Sequence, residues 1–140
     1  MCGIAGFYQN KYDFLSSNYG GRTHKNKWYS RLVQMKQSLA HRGPDDEHVV
    51  LFHHAGFAHT RLSIRDIQGG VQPMTCSYQG TTATIVYNGE IYNTAELRQK
   101  LSAYPLQWNT TGDTEVILNG FLAMGTSFFE ELNGIFAFAI

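Results

Sequence analysis

Sulfur is scarce in this chain. Two cysteines, Cys2 and Cys76, occur in 140 residues, too few for a disulfide framework, and a reducing compartment keeps both as thiols. An excess of charge of either sign is missing too, since eleven basic side chains balance eleven acidic ones and the pI is near 7.0. No basic field argues for nucleic acid, and no acidic excess argues for disorder. No apolar run approaches the roughly eighteen residues of a membrane span, and Met1 is followed by neither a basic segment nor a sustained apolar one. Neither a membrane segment nor a signal peptide is expected, which makes the cytoplasm the expected location and leaves the sequon at Asn109 idle. Five histidines, His41, His48, His53, His54 and His59, crowd one region without a helical HExxH or a paired CxxC. They read as structural or solvated, and no metal is assigned. Repeats, low-complexity tracts and linkers are also absent, so residues 1–140 read as one domain, able to bury about two-thirds of its unfolded surface.

What is present is a series of short periodic segments. "CGIAGFY" reads as a buried strand whose glycines allow close packing, whereas residues 10–26, with Gly20 and Gly21 and no clean period, read as a loop insertion. Over residues 27–40 the side chains of Trp28, Leu32, Met35 and Leu39 recur at helical spacing, and "HRGPDD" stops the helix. "EHVVLFH" and "GFAHTRLSI" predict two strands joined by a tight turn at "HHAG", and "TTATIVYNGEIYN" predicts a third. The helix that follows, "NTAELRQKL", has Asn93 as its expected N-cap and Glu96 three residues on, the spacing of a capping box. In "GDTEVILNGFLAMG" the residues Val116, Ile117, Gly120, Phe121 and Met124 form one apolar stripe ending at a C′ glycine, Gly125. The last segment, "NGIFAFAI", reads as a continuous apolar strand without a turn or partner strand after it, so the fold is expected to continue past it. Strands interleaved with helices point to a layered mixed fold.

Several residues carry candidate chemistry, each beside a plainer reading. If Met1 is removed, Cys2 bears a thiol and an α-amine on one residue; the amine, with a pKa of about 7.7–8.0, can serve as general base to its own thiol. The plainer reading is a small buried side chain at a strand start. Asn88–Gly89 is a hairpin signal between apolar residues, but a helix follows where a return strand is needed. The other reading makes the Asn88 amide and the Gly89 N–H two donors for a developing oxyanion, with glycine admitting the substrate to the backbone. Arg61, Glu90 and Asp113 flank apolar strands: a guanidinium fork suits a carboxylate, and a carboxylate pair suits an ammonium, which together fit an amino acid. Singly they fit surface charges or, for Asp113, a helix N-cap.

Taken in order, "MCGIAGF", "HRGPDD", "HTRLSI", "GGVQPM", "YNGEIYNTAELRQKL", "GDTEVIL" and "LNGIFAFAI" resemble the glutamine amidotransferase domain of the class II, N-terminal nucleophile type, most like that of glutamine-hydrolysing asparagine synthetases. The resemblance covers the chain outside residues 10–26. It implies an α+β fold, a four-layer αββα sandwich of the N-terminal nucleophile hydrolase type, incomplete at the C-terminal end. It also implies hydrolysis of L-glutamine to glutamate and ammonia through a γ-glutamyl thioester on Cys2, with the Cys2 amine as base and Asn88 and Gly89 as oxyanion hole. Arg61 would then bind the α-carboxylate of glutamine, and Asp113, helped by Glu90, its α-ammonium.

The glutaminase half-reaction needs no cofactor. ATP and magnesium belong to a synthetase domain with an SGGxDS loop, which does not occur in these residues; the expected partner is such a domain, in cis or in trans, receiving the ammonia. A homo-oligomer is left open. The alternatives are a truncated relative that binds glutamine or a partner without turnover, and a structural interaction domain in which Cys2 is incidental.

Overall fold

Apolar side chains at period two and period 3.6 build two helix-on-sheet units, residues 1–62 and 63–140, in a computed structural model that describes residues 2–16, 19–63 and 69–140. Met1, part of the expected loop and the Ile64 end of a predicted strand lie outside the described residues.

The first unit contains Gly3–Tyr8 (β1), Tyr19–Ser38 (α1), Asp46–Leu51 (β2) and Ala55–Arg61 (β3). β3 is the central strand, antiparallel to β1 with Gly3 opposite Thr60 and to β2 with Asp46 opposite Arg61. β2 and β3 form the expected hairpin, in which the Phe52 N–H donates to the Ala55 carbonyl at 2.8 Å. α1 packs on this sheet through the predicted stripe, with Leu32 fully buried. The Trp28 ring lies 4.4 Å from that of Phe7, which meets Phe14 edge-on at 5.5 Å.

One sequence expectation changes here. α1 begins at Tyr19, inside the stretch read as a loop insertion. Its first turns carry no apolar stripe to read, but extending a helix already held by packing avoids the cost of nucleation. Of the remainder, residues 9–16 are tied to the β2–β3 turn: Gln9 N–H donates to the His54 carbonyl at 2.7 Å, and Phe14 N–H to that of His53 at 2.8 Å. His53 Nδ1 meets Asp13 Oδ1 at 3.0 Å, and His54 Nδ1–H donates to the Tyr12 carbonyl at 2.8 Å.

The second unit contains Met74–Tyr78 (β4), Thr81–Ile91 (β5), Thr94–Leu101 (α2), Asp113–Met124 (α3) and Gly134–Ala139 (β6), with a 3-10 turn over Gly125–Glu131. β5 is central and antiparallel to both neighbours. Ala83, Ile85, Tyr87 and Ile91 face α2 and α3, and join Leu97, Leu101, Val116, Ile117, Leu118 and Phe128 in one core. Each large side chain buried there contributes about 1.5–3 kcal/mol. α3 ends at Gly125, whose positive φ of 71° is open to glycine without the strain a side chain would bring. No helix among the described residues is long and apolar enough to cross a membrane.

Three features of this half differ from the sequence expectation. β4 was not foreseen, although Met74, Cys76 and Tyr78 alternate with Thr75 and Ser77; a two-residue turn, Gln79 (φ 49°) and Gly80 (φ 81°), joins it to β5. β6 does have a partner strand, β5, with Gly134 opposite Ile91 and Ala139 opposite Val86, and it is half-buried on one face and exposed on the other. The capping box does not form: Asn93 occupies the N-cap without a side-chain cap bond, because its Nδ2 donates to the Glu131 carbonyl (2.9 Å) and its Oδ1 accepts from Asn133 N–H (3.1 Å). Tying two segments together wins over capping one helix end. Asn88–Gly89, where a hairpin signal competed with the third predicted strand, lies inside β5, which runs straight through it as the strand reading has it.

The bond to His53, and next the Leu15 N–H, hold the Asp13 carboxyl below its usual pKa. A depressed acid stabilises the folded loop above its unfolded value near 3.8, and that support is lost as pH falls through the lower folded value. NMR of the Leu15 amide should therefore show the 9–16 loop loosening below about pH 4, and Asp13→Asn should abolish that acid step. A Leu15 resonance that titrates identically in Asp13→Asn would show that the bond does not hold the loop.

Candidate active site

Cys2 immediately precedes β1, and the β1–β3 register sets it beside the end of β3. Leu62 N–H donates to Cys2 Sγ at 3.4 Å, and Sγ lies 3.7 Å from the Leu62 carbonyl. Arg42, on the 3-10 turn Ala40–Arg42 after α1, donates its Nε–H to the Cys2 carbonyl at 3.0 Å. Side chain and main chain of Cys2 are thus each held by a different element, while the residue stays partly exposed. Arg61, the last residue of β3, is buried, so it is not a solvated surface charge. Cys2 and Arg61 come together within the first unit although fifty-nine positions separate them in the chain.

The second unit supplies a strand edge. β4 pairs only with the first part of β5, up to Met74 opposite Ile85, and β6 pairs on the other side from Val86 to Ile91. In an extended strand successive N–H groups point to alternate sides. Tyr92 N–H donates toward the β6 side, to the Asn133 carbonyl at 2.7 Å, so the N–H groups of Tyr87, Gly89 and Ile91 point the other way, to the edge that β4 does not reach. Side chains take the outer two: Tyr87 N–H donates to Gln72 Oε1 at 2.6 Å and Ile91 N–H to Asp113 Oδ2 at 3.1 Å. Gly89 N–H sits between them. Glycine is required at that point, because φ is 156° and a Cβ would lie 2.4 Å from the Ile135 carbonyl oxygen and 2.5 Å from Phe136 Cα.

Asp113 opens α3, where a carboxylate suits the positive end of the helix dipole. Gly112, not Asp113, is the N-cap, which removes the capping alternative for Asp113. Oδ2 accepts from the Tyr87 hydroxyl at 2.6 Å as well as from Ile91 N–H. The loop leading into Asp113 is built around buried Glu115, which accepts from Asn109 N–H (2.8 Å), Thr110 N–H and the Thr110 hydroxyl (both 2.9 Å). Arg98 closes it, donating to the Thr110 carbonyl at 2.8 Å with its guanidinium 4.1 Å from the Trp108 ring centre. Strand alternation puts Asn88 and Glu90 on the face of β5 opposite Tyr87, so Glu90 and Asp113 flank the strand from opposite sides.

Cys76, on β4, is a poor second candidate for a nucleophile. Burial, and next the Glu115 carboxylate, push its thiol up, which keeps it protonated at neutral pH. Among the described residues no group of three or more His, Cys, Asp or Glu is placed to hold a metal ion. His48 Nε2 instead meets Asp46 Oδ2 at 3.0 Å, and His59 is buried in β3.

A family model described as a glutamine amidotransferase domain matches residues 1–140. The chain belongs to that family. As an amidotransferase domain it is 42% identical over 140 residues to glutamine-hydrolyzing asparagine synthetase 3 of Bacillus subtilis, covering all of this chain and 21% of that protein. To asparagine synthetase B of Escherichia coli it is 34% identical over 140 residues, covering all of this chain and 23% of that protein. The chain thus spans about a fifth of the length of these relatives. Among solved structures, the glutamine phosphoribosylpyrophosphate amidotransferase of Bacillus subtilis matches with a TM-score of 0.50 and 22% identity, covering 62% of this chain and 21% of that one. At that identity the likeness speaks for the fold, and the α+β class with two antiparallel sheets agrees with it.

The amidotransferase motifs therefore fall into two groups, Cys2 and Arg61 in the first unit and Asn88, Gly89, Glu90 and Asp113 in the second. Three residues that touch them carried no readable signal of their role. Arg42 lies in "HRGPDD" and Gln72 in "GGVQPM", but their bonds, to Cys2 forty positions away and to Tyr87 fifteen away, depend on tertiary placement. Tyr87 looks like any aromatic strand residue. Because the atoms facing a Gly89 side chain are backbone, Gly89→Ala should lose about 2 kcal/mol or more of stability from strain and overpacking. Urea denaturation checks this, and an unchanged midpoint would mean that β6 does not pair at Phe136.

Proposed function

We propose that this chain hydrolyses L-glutamine to glutamate and ammonia through a thioester on Cys2, and that the ammonia serves a synthetase domain in cis or in trans. The observation that carries the reading is the Gly89 N–H, directed to the strand edge that β4 does not reach, between two N–H groups already taken and next to a fixed carboxylate, Asp113. A donor so placed suits an oxygen that gains negative charge.

The steps balance without a cofactor. After removal of Met1, the Cys2 amine accepts the thiol proton as Sγ bonds to the side-chain carbonyl carbon of glutamine. The carbonyl oxygen becomes an oxyanion, received by Gly89 N–H and the Asn88 amide. Collapse breaks the C–N bond, and the protonated amine returns its proton to the departing nitrogen, which leaves as ammonia. Water then adds to the thioester carbon, giving up a proton to the same amine, and expulsion of the thiolate with reprotonation yields glutamate and free Cys2. Buried Arg61 binds the α-carboxylate of the substrate, while Asp113 and Glu90 receive its α-ammonium. ATP and magnesium are assigned to the synthetase domain and the cytoplasm is the proposed location. Asparagine formation is the synthesis proposed for the whole protein, after its relatives' names.

Intact mass after exposure to a glutamine-like electrophile tests the nucleophile: Met1 should be absent and Cys2 should carry the label. Cys2→Ala should abolish glutamate release while leaving the thermal melt nearly unchanged, since a small side chain replaces a small thiol. Glutamate release by Cys2→Ala at the wild-type rate would sink the reading.

Asn88→Ala should lower kcat by about a hundred- to a thousandfold, the usual loss for one oxyanion donor, with KM little changed. Full kcat per folded molecule would remove Asn88 from the oxyanion hole.

A further inference from the structure

We propose that Tyr87 is a positioning residue for the amino end of the substrate, its hydroxyl fixing the Asp113 carboxylate in the orientation that receives an α-ammonium; this rests on the glutamine reading above. Tyr87 is 3% exposed, with its ring in the core beneath β5. A phenylalanine would fill that volume without a polar atom to satisfy, so the hydroxyl needs a partner there. Its partner is Asp113 Oδ2 at 2.6 Å, the short distance of a charge-assisted bond.

The same oxygen accepts the Ile91 N–H at 3.1 Å. The two donors come from strand residues on either side of Gly89, so together they hold the carboxylate against the stretch of edge where the Gly89 N–H is offered. Both engage Oδ2, and neither uses Oδ1. With one oxygen held from two directions, carboxylate rotation is restricted and Oδ1 is presented for a further donor. An ammonium arriving there has less side-chain freedom to freeze out, which strengthens binding. The backbone donor would be present whatever residue stood at position 87, whereas the hydroxyl is specific to tyrosine. Tyr87 thereby favours α-amino acids over the same acids without the amine.

The test uses binding, so that it does not depend on turnover. L-Glutamine and its des-amino analogue, glutaramate, are titrated into the 140-residue Cys2→Ala chain with and without Tyr87→Phe. Tyr87→Phe should weaken glutamine by about five- to tenfold, the net worth of one ordinary hydrogen bond, since the hydroxyl acts on the ligand only through the carboxylate it orients, and leave glutaramate unchanged. Asp113→Glu moves the carboxylate off both donors while keeping Tyr87, and should show the same selective loss if Tyr87→Phe folds poorly. Equal weakening of both ligands would make Tyr87 merely structural, and unchanged glutamine affinity would overturn the proposal. Failure of the parent chain to bind glutamine at all would remove the glutamine reading and this inference with it, a result distinct from either of the others.

Discussion

A buried or half-buried peptide N–H must find an acceptor, and β5 is longer than the strand on one of its sides. Its first five residues pair with β4; from Val86 onward, among the described residues, only β6 accompanies it. The edge left over is completed by side chains, Gln72 at Tyr87 and Asp113 at Ile91, and the gap between them is where the chain offers a backbone donor. Much of the second unit serves these two acceptors. Buried Glu115 and Arg98 shape the loop that brings Asp113 to the strand, and the core beneath Tyr87 keeps its hydroxyl on that carboxylate.

The first unit applies a related constraint to Cys2. A residue before the first strand would ordinarily fray, but here β1–β3 pairing, the Leu62 amide and the Arg42 guanidinium hold it from three directions. Close approach makes this possible: a Cβ at Gly43 would lie 2.5 Å from the backbone of Thr60 and Arg61, so glycine lets the segment after Arg42 lie directly against the end of β3. The Pro44–Arg61 bridge and the bond from Asp45 N–H to the Arg61 carbonyl continue that contact. The Cys2 thiol is thus placed by backbone geometry, which tolerates little positional error.

Legibility followed the range of the physics. The Trp28, Leu32, Met35 and Leu39 stripe, the β2–β3 hairpin, β5 and the Gly125 helix end are local patterns, and each appeared where the residues indicated. The start of α1 had no stripe to mark it, and the alternation of Met74, Cys76 and Tyr78 with Thr75 and Ser77 spans only five residues, too short a run to stand out by period alone. Asn93 matched a capping pattern but had a stronger use in tying α2 to the segment before β6. Asn88–Gly89 carried a turn signal that the surrounding strand overrode, since the register of β5 against β6 depends on six residue pairs and not on one dipeptide.

By itself the sequence determined which chemical groups are available and in what order: a second-position cysteine, an asparagine–glycine pair, an arginine closing one strand and an aspartate opening a helix. Period-two alternation even determined which side chains share a sheet face. It did not determine the edges. Which N–H groups of β5 are paired, which are taken by side chains and which one is offered depends on where β4 stops and on partners such as Asp113, twenty-six positions from Tyr87. Those are long-range contacts made by packing, and local periodicity carries no record of them because hydrogen bonds across a strand edge run perpendicular to the chain.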